Sequence, residues 1–331
     1  MPRLLFAVAI LLAALALPVI GRAREPIVIR FAHVVSEKAP KGIGANMLKE
    51  RVEAAFPGRV RVDVFPRSQR FTDEEVLLAL ILGDVELAAP SFTLFQRYSP
   101  ATQVFELPFL FKNVDHVHRF QETDIGRGLL DSMRARGLKG LAYWDSGMRV
   151  IGADRPLYGP ADAHGMTFRI ENSAIFQEQY DNIEVVAIQM PFGQVHHALK
   201  RGLINGIENS WSNIYTFGIF PLVRNFTVTN HSFLGYMLVT SQTFWDGLPS
   251  DVRAGLERII AEVSAEERRI AAEQEVTDRK TIAASGDARI IEPTATQLEA
   301  WRAAFLPAWE PFRARIGEDV IAAAVAAGTD R

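Results

Sequence analysis

Ile27-Val-Ile-Arg-Phe-Ala-His33 has strand character, and an apolar stripe at helical spacing follows it, Met47, Leu48, Val52 and Phe56, stopping at Gly58. Arg59-Val-Arg-Val-Asp-Val-Phe65 alternates apolar and polar positions, as an edge strand with one wet face does. Thr72 with Glu75 three positions on is a capping box, which predicts a helix running to Gly83. Val85-Glu-Leu-Ala-Ala89 is mostly apolar and reads as a buried strand. The order β-α-β-α-β predicts a largely parallel sheet covered on both faces.

The pattern recurs in the second half. Met166–Ile170 predicts a strand, Ser173–Asp181 a helix, Glu184–Ile188 a strand and Phe192–Arg201 a helix. Gly202 then precedes a last strand that ends near Asn209. The halves share a further detail: Gly83 is followed eight residues later by Ser91, and Gly202 eight residues later by Ser210. Both polar positions fall just past the last strand of a βαβ unit, the end at which open α/β sheets bind ligands. Two such ends facing each other make a cleft between lobes.

Beyond Pro249 the character changes. Asp251–Ser285 is one helical pattern rich in Ala, Glu and Arg, long enough to tie two lobes together. Pro293-Thr294 opens another helix carrying a packing stripe, Trp301, Phe305 and Trp309, and Pro307 is expected to break it.

Composition narrows the function. A chain of 331 residues with 48% apolar and 23% charged residues suffices for two lobes and a core. Its net charge of −3 argues against nucleic acid or an anionic membrane as partner, so an anionic ligand needs a local basic cluster. Met1-Pro-Arg3, the apolar run Leu4–Ile20 and Gly21-Arg22-Ala23 read as a signal peptide cut after Ala23, which predicts export. Loss of Arg3 and Arg22 takes the net charge from −3 to −5. The absence of cysteine excludes disulfides, thiol catalysis and thiolate metal sites.

Three donors stand out: Arg149, Arg169 and Asn209, each at or just past the end of a predicted strand. A guanidinium matches both oxygens of a carboxylate and stays charged at any working pH. Arg169 lies between Phe168 and Ile170, where a buried charge needs a partner that a bound carboxylate supplies. Phe192 fits core packing or the wall of a pocket. Glu208 and Asp145 stand beside these residues and read as hydrogen-bond partners rather than as acid–base catalysts. No phosphate-binding loop or Gly-x-Ser-x-Gly elbow appears; His116/His118 and His196/His197 are the only close histidine pairs, and the helical pair His196/His197 has no carboxylate at i, i+4. The expectation is therefore a binding protein without catalytic residues, cofactor or metal.

The segments Phe31-Ala-His-Val-Val35, Ala39-Pro-Lys-Gly42, Phe105-Glu-Leu-Pro-Phe-Leu-Phe111, Gly140-Leu-Ala-Tyr-Trp-Asp145, Asn230-His-Ser-Phe-Leu-Gly-Tyr236 and Phe244-Trp-Asp-Gly-Leu-Pro249, with the Arg169 strand and Gly202–Asn209, carry a family resemblance. From about Ile27 to Ala327 the chain resembles the periplasmic solute-binding proteins of TRAP (tripartite ATP-independent periplasmic) transporters, above all the DctP-like branch that binds C4-dicarboxylates. The resemblance places the family's ligand arginine on Arg169, a second basic residue on Arg149, the assisting amide on Asn209 and the aromatic wall on Phe192. Ser91 stands where sugar-acid binders carry an acid, which favours a second carboxylate on the ligand. Lys41 is the implied counter-charge of that carboxylate, and Tyr236 the implied closing residue. Departures are Lys200-Arg201 before Gly202, Ser210 after Asn209, and Arg70-Phe71 after Ser68-Gln69.

The fold implied is a two-lobed α/β periplasmic binding protein with a long helix linking the lobes and a discontinuous path. Residues 24–146 with about 235–274 form one lobe, and 147–234 with about 275–331 the other. The function implied is periplasmic capture of succinate, fumarate or malate and delivery to the small and large permease subunits, driven by an ion gradient. A different carboxylate (a keto, aromatic or sugar acid) and a periplasmic ligand sensor are the alternatives.

Overall fold

A computed structural model describes residues 25–329, so the expected targeting segment lies outside the described residues. The first predicted unit forms as β1 (Ile27–Ala32), a helix Pro40–Ala55, β2 (Val60–Phe65), a helix Asp73–Leu82 and β3 (Leu87–Ala88). Glu75 caps the second helix, its carboxylate accepting from the Thr72 backbone N–H at 2.9 Å and hydroxyl at 3.0 Å, and Gly83 ends the helix at φ 79°, in the left-handed region that glycine adopts without a Cβ penalty. The second unit repeats it: β6 (Thr167–Ile170), a helix Ala174–Asp181, β7 (Val186–Gln189), a helix Val195–Lys200 and β8 (Gly206–Asn209). Phe192–Gln194, expected to start the last helix, is a separate 3₁₀ turn.

Each unit folds with its first strand in the centre, giving the parallel orders β2-β1-β3 and β7-β6-β8. Neither sheet stays parallel, contrary to the sequence-based expectation. β4 (Leu138–Met148) and β10 (Phe233–Ser241) pair with each other antiparallel, and β10 lies antiparallel beside β3, completing a five-stranded sheet. β5 (Val150–Ala153) runs antiparallel to β8 and to β9 (Asn225–Thr227), and β11 (Arg289–Ile291) joins β9, completing a six-stranded sheet. Of the added strands, β5 and β10 cross directly from the other sheet, without the helical return that a parallel pairing needs.

Three connections cross between the sheets. Arg149 alone separates β4 from β5, and residues 228–232 lead back from β9 to β10. The backbone N–H of Arg149 donates to Ser232 O at 2.8 Å, so the two crossing strands are joined to each other. The third connection is the helix Ser250–Ala284, 35 residues long, which spans about 50 Å at 1.5 Å per residue. It buries Val252, Leu256, Ile259, Ile260 and Val263, a helical stripe, in the core of the five-stranded sheet, and Ile282 in that of the six-stranded one. Trp301 and Phe305 are buried on the next helix, which ends at Phe305 ahead of Pro307. Among the described residues no helix is long and apolar enough to cross a membrane.

Candidate functional site

The carboxyl ends of β3 and of β6 and β8 meet across a buried, polar interior. Arg169 belongs to β6, whose neighbours Phe168 and Ile170 are wholly buried. The guanidinium is itself 2% exposed; its Nε donates to Met190 O at 2.8 Å, and its Nη1 has no partner among the described residues. Its central carbon lies 5.8 Å from the ring centre of Phe192, which packs on Phe217 at 4.4 Å. Burial is the main influence on Arg169 and pushes its pKa down from the ordinary value; Glu171 opposes that and Arg149 adds to it.

Arg149 sits at the crossing point of the chain and pairs with two carboxylates. Its Nη2 donates to Glu171 Oε2 at 2.6 Å and its Nη1 to Glu208 Oε1 at 3.2 Å, while Nε has no partner among the described residues. Its charge centre also lies 4.8 Å from the Phe176 ring. Burial works against the charge, and the two glutamates more than offset it. Burial likewise penalises Glu171, but Arg149 and Arg169 hold its carboxyl below the usual glutamate range, so it is ionised at neutral pH. Glu208 is wholly buried; its Oε2 accepts from Tyr180 at 3.3 Å and lies 2.8 Å from His231 Nε2. His231 lies on the returning crossover and contacts Thr229 through Nδ1 at 2.7 Å.

Asn209 ends β8. Its Oδ1 accepts from Ser210 N at 3.0 Å and Asn213 Nδ2 at 3.1 Å, and no acceptor among the described residues takes its own Nδ2. Asn213 also donates to Tyr236 Oη at 2.9 Å, which links β8 to β10 of the other sheet. Lys41 is 1% exposed, donates to Ala89 O at 2.9 Å, and stands 3.6 Å over the Tyr236 ring. Burial lowers the Lys41 pKa, with Asp73, Glu171 and Glu267 opposing. Burial also raises that of nearby Asp73, against the pull of Lys41.

All seven residues singled out from the sequence, Lys41, Ser91, Arg149, Arg169, Phe192, Asn209 and Tyr236, are buried. Contacts bring several of them together: Arg149 and Ser91 both donate to Glu171, Ser91 bridges to Tyr236, Lys41 stands over the Tyr236 ring, and Asn213 joins Tyr236 to Asn209. The surroundings of Ser91 differ from the expectation. Its hydroxyl, read as neutral ground for a second carboxylate, donates to Glu171 Oε2 at 2.9 Å, so an acid stands in that corner after all. Glu171 was not picked out from the sequence. The signal was present: two residues beyond Arg169 along an extended chain points to the same face. Asp73, Asn213 and His231 gave no such signal, because nothing local distinguishes a site residue from an ordinary cap or loop residue. Among the described residues no cluster of three or more His, Asp or Glu is arranged to hold a metal.

Residues 31–315 match the family model for bacterial extracellular solute-binding proteins, family 7. A C4-dicarboxylate-binding periplasmic protein of Shewanella loihica is 42% identical over 301 residues, covering 91% of this chain and 90% of the relative. One from Rhodobacter capsulatus is 37% identical over 315 residues, covering 95% and 94%. Among solved structures, a TRAP periplasmic solute-binding protein from Shewanella oneidensis with bound succinate superposes with a TM-score of 0.90 at 40% identity, covering 92% of this chain and all of that one. Another from Pseudomonas aeruginosa with bound L-malate gives 0.83 at 39% identity, covering 86% and 100%.

Proposed function

The chain belongs to the family 7 bacterial extracellular solute-binding proteins, and from that premise we propose that it captures a C4-dicarboxylate between its two sheets in the periplasm and delivers it to a TRAP permease. The observation that carries the reading is Arg169: a buried guanidinium whose Nη1 has no protein partner, in the same polar interior as the unclaimed amide of Asn209. A buried cation with free donors is costly until an anion fills the fork. One ligand carboxylate pairs with Arg169, helped by Asn209 and bounded by Phe192. The second carboxylate turns toward the first sheet, where Lys41 and Tyr236 lie.

Residues 25–146 with about 235–274 act as one lobe and 147–234 with about 275–329 as the other. They bend about the Arg149 and 228–232 crossings, so that closure removes the ligand from water. A dry cleft strengthens each charge interaction in it. No covalent step is involved, and release to the small and large permease subunits is driven by an ion gradient rather than by nucleotide hydrolysis.

The test is calorimetry and thermal unfolding of the purified mature protein with succinate, fumarate, malate, acetate and glucuronate. The C4-dicarboxylates are expected to raise the melting temperature, because a ligand that binds only the native state stabilises it. Stabilisation by acetate or glucuronate alone overturns the assignment. Uptake by vesicles carrying the permease, dependent on this protein and on an imposed ion gradient, tests delivery.

A further inference from the structure

Glu171 is an acid where a receptor for dianions has little use for one. It follows β6 directly, 9% exposed, and one of its oxygens already serves two donors: Oε2 accepts Arg149 Nη2 at 2.6 Å and Ser91 Oγ at 2.9 Å. Among the described residues no donor reaches Oε1. It lies between groups contributed by both sheets, since Ser91 follows β3 of the first and Arg149 leads into β5 of the second. The pairing also fixes its rotamer, since moving the carboxylate away would strip a partner from Arg149.

An ionised carboxylate is an acceptor and nothing else. In a chamber that admits a dicarboxylate, a fixed acceptor with a free lone pair discriminates by what the middle of the ligand offers. A methylene or vinyl carbon offers no donor. A hydroxyl donates a charge-assisted hydrogen bond. We propose, resting on the dicarboxylate reading above, that Glu171 is a specificity-determining residue that selects C4-dicarboxylates bearing a hydroxyl on the chain, with the ligand O–H donating to Glu171 Oε1.

Three consequences separate this from a merely structural role. Malate binds more tightly than succinate or fumarate, by about tenfold or more, because a site built to hydrogen-bond a hydroxyl leaves a polar group unpaired with the ligand that lacks it. The two enantiomers of malate differ, since one fixed acceptor meets the hydroxyl of only one. Substitution of the acid changes the preference rather than the affinity for every ligand alike. In Glu171→Gln the amide oxygen still serves Arg149 and Ser91, while the amide nitrogen replaces the free acceptor and the negative charge is gone.

The experiment is titration calorimetry of wild type and Glu171→Gln with L-malate, D-malate, succinate and fumarate at pH 7 and pH 5.5. The expected result is a wild-type preference of about tenfold or more for one malate enantiomer over succinate, falling to less than about threefold in Glu171→Gln as succinate gains. Succinate bound as tightly as both malates, or succinate gaining tenfold on acidification while malate does not, overturns the inference. So does a variant that loses all four ligands in proportion. If Glu171→Gln does not fold, the wild-type comparison decides alone. A wild type that binds none of the four acids overturns the dicarboxylate reading too, whereas equal binding of all four overturns this inference only.

Discussion

Ser91 and Glu171, eighty positions apart in the chain, join the two sheets through one hydrogen bond of 2.9 Å. Ser91 is held to the first sheet by a bridge to Tyr236, and Glu171 continues directly from β6 of the second. The contact exists only while the sheet ends are together, so under the hinge closure proposed above it favours the closed form. Ser91→Ala is expected to leave the fold and the Arg149–Glu171 pair intact. A hydrogen bond to a charged acceptor contributes about 1.5 kcal/mol, so the substitution weakens ligand binding about tenfold. Calorimetry giving an unchanged dissociation constant would remove Ser91 from the closing contacts.

The two arginines are expected to fail in different ways. Arg169 has one protein acceptor, Met190 O, whereas Arg149 neutralises Glu171 and Glu208. Arg169→Ala therefore loses about 100-fold or more in ligand affinity with little change in melting temperature. Arg149→Ala leaves two buried carboxylates facing each other and costs about 3–5 kcal/mol of stability. Melting curves without ligand separate the two cases. Equal destabilisation by both substitutions would show that Arg169 is a structural ion as well.

The repeated βαβαβ units were legible because each strand and helix carries its own period and its own stop signals, such as the Thr72–Glu75 box and Gly83. The long pair β4 and β10 was not. Every residue of β10 is buried, so no alternation marks it, and five strands of the second sheet, β5 to β9, separate it in sequence from its partner β4. The donors Arg149, Arg169 and Asn209 were visible as residue types at strand ends. What each does is a tertiary property: Arg149 lies where the chain crosses between sheets, and the identity of its two partners follows only from the fold. Lys41 and Tyr236 came from resemblance, and neither their stacking nor the contact of Lys41 with Ala89 O is written in local pattern.

Glu106 sets a pH dependence of stability. It is 2% exposed, accepts the Ser173 hydroxyl through Oε2, and has no partner for Oε1 among the described residues. Burial pushes its pKa up to about 8, with Ser173 opposing and Glu171 adding to the rise. The unfolded chain releases this proton near the ordinary glutamate value of about 4.3. Between those values the native state holds the extra proton, so the stabilisation is full below about pH 4.3 and is lost as pH rises through 8. Glu106→Gln, neutral throughout, is expected to melt at least about 2 °C higher relative to wild type at pH 8.5 than at pH 5. A wild-type-to-variant difference that does not change with pH would show that Glu106 is ionised in the native protein.

Gly206 controls the site from behind. It opens β8 beside β6, and a Cβ on it would stand 2.0 Å from the ring of Phe168. Phe168 precedes Arg169 and packs on Tyr180 at 5.3 Å between ring centres; Tyr180 in turn donates to Glu208, which holds Arg149. The ring is wholly buried and has no room to retreat, so one added methyl has to move β6 or β8. Gly206→Ala is therefore expected to cost about 1–3 kcal/mol of stability and, unlike an ordinary core substitution, to weaken ligand binding as well. The double variant Gly206→Ala/Phe168→Leu, which gives the methyl room, should recover affinity before it recovers full stability. Ligand affinity unaltered in Gly206→Ala, alongside a lowered melting temperature, would show that the Arg169 strand is positioned independently of Phe168.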